Sequence, residues 1–301
     1  YAIAGLGLCY CYAKGVECDI KKGIELIKQA IKAENPKGYN VMGLCYKRGI
    51  GVERNLEKSV EYFLISAKLG FAAGQCNLGV AFLTGKGISK DYEKSVLWLE
   101  KAVEQDQASA FGLLGKCYRE GKGVAKNLIK GFELTKIAAS QGCVLFQYEL
   151  GNCYYNGCGT KQNYKQAVYW YQISANQGYA NAQFSLGSCY ANGTGVRQNY
   201  KEAVYWYRKS ANQGYAKAQN NLGNCYKYGN GCEKSLELAV DLFLKSSEQG
   251  NIKAFCNLAI CYEEGTGVEK NFETAIAYYR KAANQGDKFA EEKLMKLEQN
   301  K

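Results

Sequence analysis

The chain has no histidine, one proline and two methionines among its 301 residues. Without histidine there is no Ser-His-Asp triad, no Cys-His dyad and no histidine-ligated metal or haem. A lone proline, Pro36, excludes proline-rich linkers and a collagen-like chain. No uninterrupted apolar run reaches the roughly 18 residues of a membrane-spanning helix, so membrane insertion is not expected. No serine is followed by lysine three positions on, which removes the S-x-x-K acyl-enzyme motif. No G-K-[ST] follows any of the many G-x-G dipeptides, so they are not phosphate-binding loops. These absences lead to the expectation of a non-enzyme with no cofactor, no metal and no small-molecule substrate. What is present is a packed protein: 47% of the residues are hydrophobic and 13% aromatic, too many for a disordered chain. The 39 basic residues outnumber the 28 acidic ones, for a formal charge of +11. They are scattered and read as a solvated surface compatible with an acidic partner. The chain begins at Tyr1 and its methionines are Met42 and Met295, so it is expected to be part of a longer or processed protein.

Glycine, in contrast, is abundant, and its spacing is regular. The phrase G-x-C-Y begins at Gly7, Gly43, Gly115, Gly151, Gly187 and Gly223, with variants opening at Gly79 and Ala259. Successive starts are 36 residues apart, giving eight units with no insertion or deletion. With the opening residue as position 1, four columns hold 28 of the 34 glycines: positions 1, 7, 9 and 28. Positions 7 and 9 predict a tight interhelical turn and position 28 a helix C-terminus. Position 1 falls inside a helix, where glycine costs about 1 kcal/mol against alanine; its recurrence predicts close approach of a neighbouring helix. Position 13 is Asp, Asn or Ser in every unit, from Asp19 to Asn271, a column of N-caps. Small or apolar residues then recur with helical spacing, as in Tyr200, Ala203, Val204, Tyr207, Ser210 and Ala211. A second helix runs from about position 30 across the boundary to position 6 of the next unit. We call this one helix A and the one after the N-cap column helix B.

The phrases Leu186-Gly187-Ser188-Cys189-Tyr190, Gly193-Thr194-Gly195-Val196 and Ala203-Val204-Tyr205-Trp206-Tyr207 with Ala211-Asn212-Gln213-Gly214 resemble the Sel1-like repeat, a relative of the tetratricopeptide repeat. The resemblance covers essentially the whole chain. It implies an all-α fold, a right-handed α-solenoid of helix-turn-helix repeats with a concave and a convex face. Residues 1–286 are expected to form eight repeats of one solenoid, the first lacking its start, and 287–301 a polar capping helix. The resemblance also implies adaptor work in signalling, membrane-protein quality control or cell-wall enzyme regulation. An upstream domain such as a protein kinase would accord with it.

Fourteen cysteines raise the question of a disulfide framework. Seven lie at position 3 (Cys9, Cys45, Cys117, Cys153, Cys189, Cys225 and Cys261), with Ala81 in the remaining unit. Alternation with alanine predicts a small buried side chain. Neighbouring repeats place this column about 10 Å apart, beyond the roughly 7 Å that a disulfide spans. Cys153 with Cys158, and Cys225 with Cys232, remain as pairs that could bridge a helix to the following turn. Secreted members of the resembled family carry a second cysteine late in helix B. Here that column holds only Ala or Ser, from Ala30 to Ala282, so a cytoplasmic, reducing compartment is expected. A secreted cysteine-rich protein is the alternative.

Position 4 is aromatic throughout, from Tyr10 to Tyr262, and is expected to be core. No basic column is expected beside it, which leaves single-stranded nucleic-acid binding as a weaker alternative. The resemblance puts partner binding on the concave helix A face. Its outward positions 35, 2 and 5 vary between units. The candidate residues are Asn77, Lys116, Arg119, Asn152, Tyr155, Asn221, Asn224, Lys227 and Asn257. Asparagine can donate to and accept from a peptide backbone at once, and Lys or Arg beside it suits an acidic side chain. The expected partners are therefore proteins or peptides, acidic ones among them, held by a non-enzymatic scaffold.

Overall fold

A computed structural model describes residues 2–13 and 15–299. Among them are seventeen α-helices and no strand. In chain order they are α1 (Ala2–Tyr12), α2 (Ile20–Lys32), α3 (Pro36–Arg48), α4 (Leu56–Lys68), α5 (Ala72–Thr84), α6 (Tyr92–Val103), α7 (Ala108–Glu120), α8 (Leu128–Ser140) and α9 (Val144–Asn156). They continue as α10 (Tyr164–Asn176), α11 (Ala180–Asn192), α12 (Tyr200–Asn212), α13 (Ala216–Tyr228), α14 (Leu236–Ser247), α15 (Ile252–Glu264), α16 (Phe272–Ala283) and α17 (Lys288–Gln299). Odd helices up to α15 are A helices and even ones B helices, so the fold is an all-α helical-repeat solenoid. Two compact units divide the chain within α9 and the turn after it. One holds the residues up to Cys153 with Gly157–Lys161, the other Tyr154–Asn156 with the residues from Gln162 on. No helix of the described residues is long and apolar enough to cross a membrane.

Local chemistry explains each repeat. Every position 13 side chain caps its B helix; Asn55 Oδ1, for example, accepts from the Lys58 amide at 2.9 Å. The turn before it is closed onto helix A: the Gly49 and Ile50 amides donate to the Cys45 carbonyl at 2.8 and 3.1 Å, and Asn55 N–H donates to the Tyr46 carbonyl at 3.0 Å. Such bonding requires a left-handed residue at position 7, with φ 75° at Gly49. Ala13 adopts the same conformation at φ 52°, and Glu34 and Asp106 do so at position 28 with φ 50° and 54°. These three non-glycine residues hold the repeat geometry against their own preference.

Packing explains the column at position 1. A Cβ on Gly43 would lie 2.6 Å from the Phe63 ring, and one on Gly223 2.6 Å from Phe243. Helices A and B thus meet with an aromatic side chain of B laid over bare backbone of A. In the last repeat Ala259 takes the glycine's place and is fully buried against a core that includes Tyr279. Position 3 is a small buried column as expected: Cys45 and Cys117 are fully buried and Ala81 is 6% exposed. Cys9 alone in that column is only half-buried. All fourteen cysteines are free thiols, Cys153, Cys158, Cys225 and Cys232 included. Burial pushes the Cys45 thiol up to about 12 and those of Cys117, Cys153, Cys189 and Cys225 to about 11.

Two expectations about side chains need correction. The position 4 tyrosines are half-buried, and only Phe82 of that column is buried. A basic column also accompanies them in the first four repeats. Lys22, Lys58, Lys94 and Lys130 stand over the rings of Tyr10, Tyr46, Phe82 and Tyr118, at 4.5, 5.7, 5.8 and 4.2 Å from the ring centres. The lysines sit one turn into helix B, where the turn folds them back over the end of helix A. They engage these ring faces from within the repeat.

Candidate partner-binding surface

Successive A helices of the first compact unit touch directly, α1 with α3, α3 with α5 and α5 with α7. Their variable positions therefore interact with one another. Asn77 donates from Nδ2 to Asn40 Oδ1 at 2.8 Å, from α5 to α3. Arg119 is drawn inward: its side chain is 11% exposed, it donates to Thr135 Oγ1 on α8, and Nη2 lies 3.3 Å from Glu149 Oε2 on α9. It is committed to the fold and not presented outward. Lys116 is exposed, 3.8 Å from Glu120 one turn on. Asn152, on α9, is half-buried.

The second compact unit contains the other candidates. Tyr155 packs edge-on against Tyr164, with ring centres 5.1 Å apart, and burial raises the pKa of its phenol. Asn221 donates to the Tyr207 hydroxyl at 3.3 Å and accepts from Asn220 Nδ2 at 3.3 Å. Asn257 donates to Asn220 Oδ1 at 2.8 Å, repeating the Asn77–Asn40 bond. Asn224 is half-buried one turn after Asn221. Lys227 lies 5.6 Å from the Tyr228 ring centre. Asn220 and Asn221, with Phe184, Asn251, Lys217 and Lys253, line a cavity of about 630 Å³ between the starts of α13 and α15. It offers an apolar wall, amides and two cations.

The sequence reading missed two features of this surface. The first is a glutamine column at position 33. Gln75, Gln147, Gln183 and Gln219 each donate to an alanine carbonyl of the preceding B helix. Gln75, Gln183 and Gln219 also accept at 2.8 Å from a glutamine just after the next B helix, Gln105, Gln213 or Gln249. Their recurrence every 36 residues was the available signal. The second is a second ion pair of the Arg119–Glu149 kind. Lys293 on α17 bonds Glu263 on α15 at 3.0 and 3.1 Å, and the Tyr279 hydroxyl donates to the same carboxylate at 2.6 Å.

The Sel1 repeat pattern matches residues 1–35, 36–71, 72–107, 113–143, 144–179, 180–215, 216–251 and 253–287. From residue 36 on, each match falls on one A helix and the B helix that follows it. The chain belongs to the Sel1 repeat family. Two solved Sel1-type structures resemble it over nearly its whole length. The protective antigen c5321 of uropathogenic Escherichia coli, which displays an SLR fold, is 33% identical, with a TM-score of 0.78 over 97% of this chain and 63% of its own. The present chain thus spans less than two thirds of that relative. A Sel1 repeat protein of Oxalobacter formigenes is 27% identical, with a TM-score of 0.70 over 98% of this chain and 85% of its own. A comparison with curated protein sequences gives no match. Sel1-repeat proteins are in general scaffolds for protein interaction.

Proposed function

We propose that this chain is a non-enzymatic adaptor that holds peptide segments of partner proteins against its A helices. The observation that carries this reading is the 630 Å³ cavity at α13 and α15, where Asn220, Asn221 and Asn251 border the aromatic wall of Phe184. Amides can satisfy both the N–H and C=O groups of an extended peptide, while Lys217 and Lys253 favour acidic sequences. Changing Asn221, Asn224 and Lys227 together to Ala should leave the helical content intact and reduce capture on a random peptide array at least fivefold. Unchanged capture would move the binding face elsewhere. The working compartment belongs to the same proposal: a cytoplasmic adaptor with reduced cysteines. Titration of the denatured natural protein should then find close to all fourteen thiols. A large deficit would favour a secreted, disulfide-linked protein.

A further inference from the structure

Positions 5 and 35 of a repeat face each other between neighbouring A helices, 30 residues apart. In the fourth repeat Arg119 and Glu149 fill this slot, and in the eighth Glu263 and Lys293 fill it with the signs exchanged. The second repeat has Lys47 and Asn77 there. Among the described residues no carboxylate lies within ion-pair distance of Lys47. A cavity of about 100 Å³ opens at this point, lined by Lys47, Asn77, Thr84 and Lys86 over Phe63 and Val80. That is several times the ~15 Å³ needed by one water, enough for a carboxylate. Burial of Lys47, with the charges of Arg48 and Lys86 beside it, lowers its proton affinity, a perturbation that a bound anion would reverse.

The geometry points to this cavity as a subsite for one aspartate or glutamate side chain of a bound peptide, seated beside Lys47 as Glu149 is beside Arg119. Asn77 has one amide hydrogen committed to Asn40 and keeps a second for the incoming oxygen. The seventh repeat has the same pair, Lys227 and Asn257, with Asn257 likewise bonded to Asn220. There, however, Glu264 and Thr266 occupy the places of Thr84 and Lys86, so of these two slots the one in the second repeat is set up for an anion. The assignment rests on the adaptor reading and adds to it a defined seat for one acidic side chain.

The test uses fluorescein-labelled hexaglutamate, with hexaglutamine as the neutral comparator, on the full chain at low ionic strength. Hexaglutamate should bind at least tenfold more tightly. Lys47→Gln should cut that preference at least fivefold. Asn77→Glu should cut it as much without lowering Tm, because the new carboxylate closes the slot from inside while Asn40 turns its amide to donate. Lys136→Gln, at an exposed lysine beside Glu133 on helix α8, should leave the preference within twofold of the starting protein. The subsite is overturned if the starting protein does not prefer hexaglutamate, if Lys47→Gln or folded Asn77→Glu binds it undiminished, or if Lys136→Gln loses as much as Lys47→Gln. Continued capture of array peptides in those cases leaves the adaptor reading standing; loss of both discards both.

Discussion

The slot of the fourth repeat and that of the second occupy equivalent places in the first compact unit, yet they differ in what completes them. Around Arg119 the chain supplies its own carboxylate and hydroxyl, and the cation is 11% exposed and bonded to both. Around Lys47 it supplies an amide, a threonine and two further cations. The backbone scaffold is the same in both; two side chains decide whether the slot is a joint of the fold or a place for something else. A repeat array can thus vary function without altering architecture, because core columns and facing columns are separate sets of positions.

The comparison can be broken most forcefully at Arg119. Arg119→Met should destabilise the protein by about 1–3 kcal/mol, between the values for exposed and for buried ion pairs. The same change at Lys47, which has no ionic partner to lose, should cost under about 0.5 kcal/mol. Urea unfolding of both variants measures the difference; equal losses would mean that the two slots are not distinct. A smaller effect is expected in the eighth repeat. Burial there raises the pKa of the Glu263 carboxyl, but bonds from Tyr279 and Lys293 outweigh it and hold the group below its ordinary value. A depressed folded pKa contributes stability in full above the ordinary carboxylate pKa, and that contribution disappears as pH falls through the folded value. Glu263→Gln should therefore cost about 1 kcal/mol at pH 7 and progressively less below pH ~4. A gap in Tm that stays constant from pH 7 to pH 3 would show that the carboxylate's charge plays no part.

Much of the architecture was legible in advance because its determinants are local. A glycine that must be left-handed, an N-cap three residues before the amide it accepts from, and a small residue under a side chain of the facing helix all leave marks that recur every 36 residues. The surface was less legible. Asn77 meets Asn40 across 37 residues and Arg119 meets Glu149 across 30; periodicity defines such columns but not which of them face each other. That is why Arg119 reads as an outward ligand in the sequence and is an internal ion pair in the structure. The lysines over the position 4 rings escaped for a similar reason. Position 16 is basic only in the first four repeats, and its nearness to position 4 depends on how the turn folds back.

The glutamine column has a further consequence, for temperature. Where position 33 is Gln75, Gln147, Gln183 or Gln219, adjoining repeats are fastened by amide hydrogen bonds. Where it is Phe111 or Phe255, the same seam is closed by buried aromatic surface. Apolar contact loses strength on cooling, whereas bonded amides do not share that dependence. The seams of one chain therefore differ in their response to cold, and those at Phe111 and Phe255 are the ones that chilling loosens first.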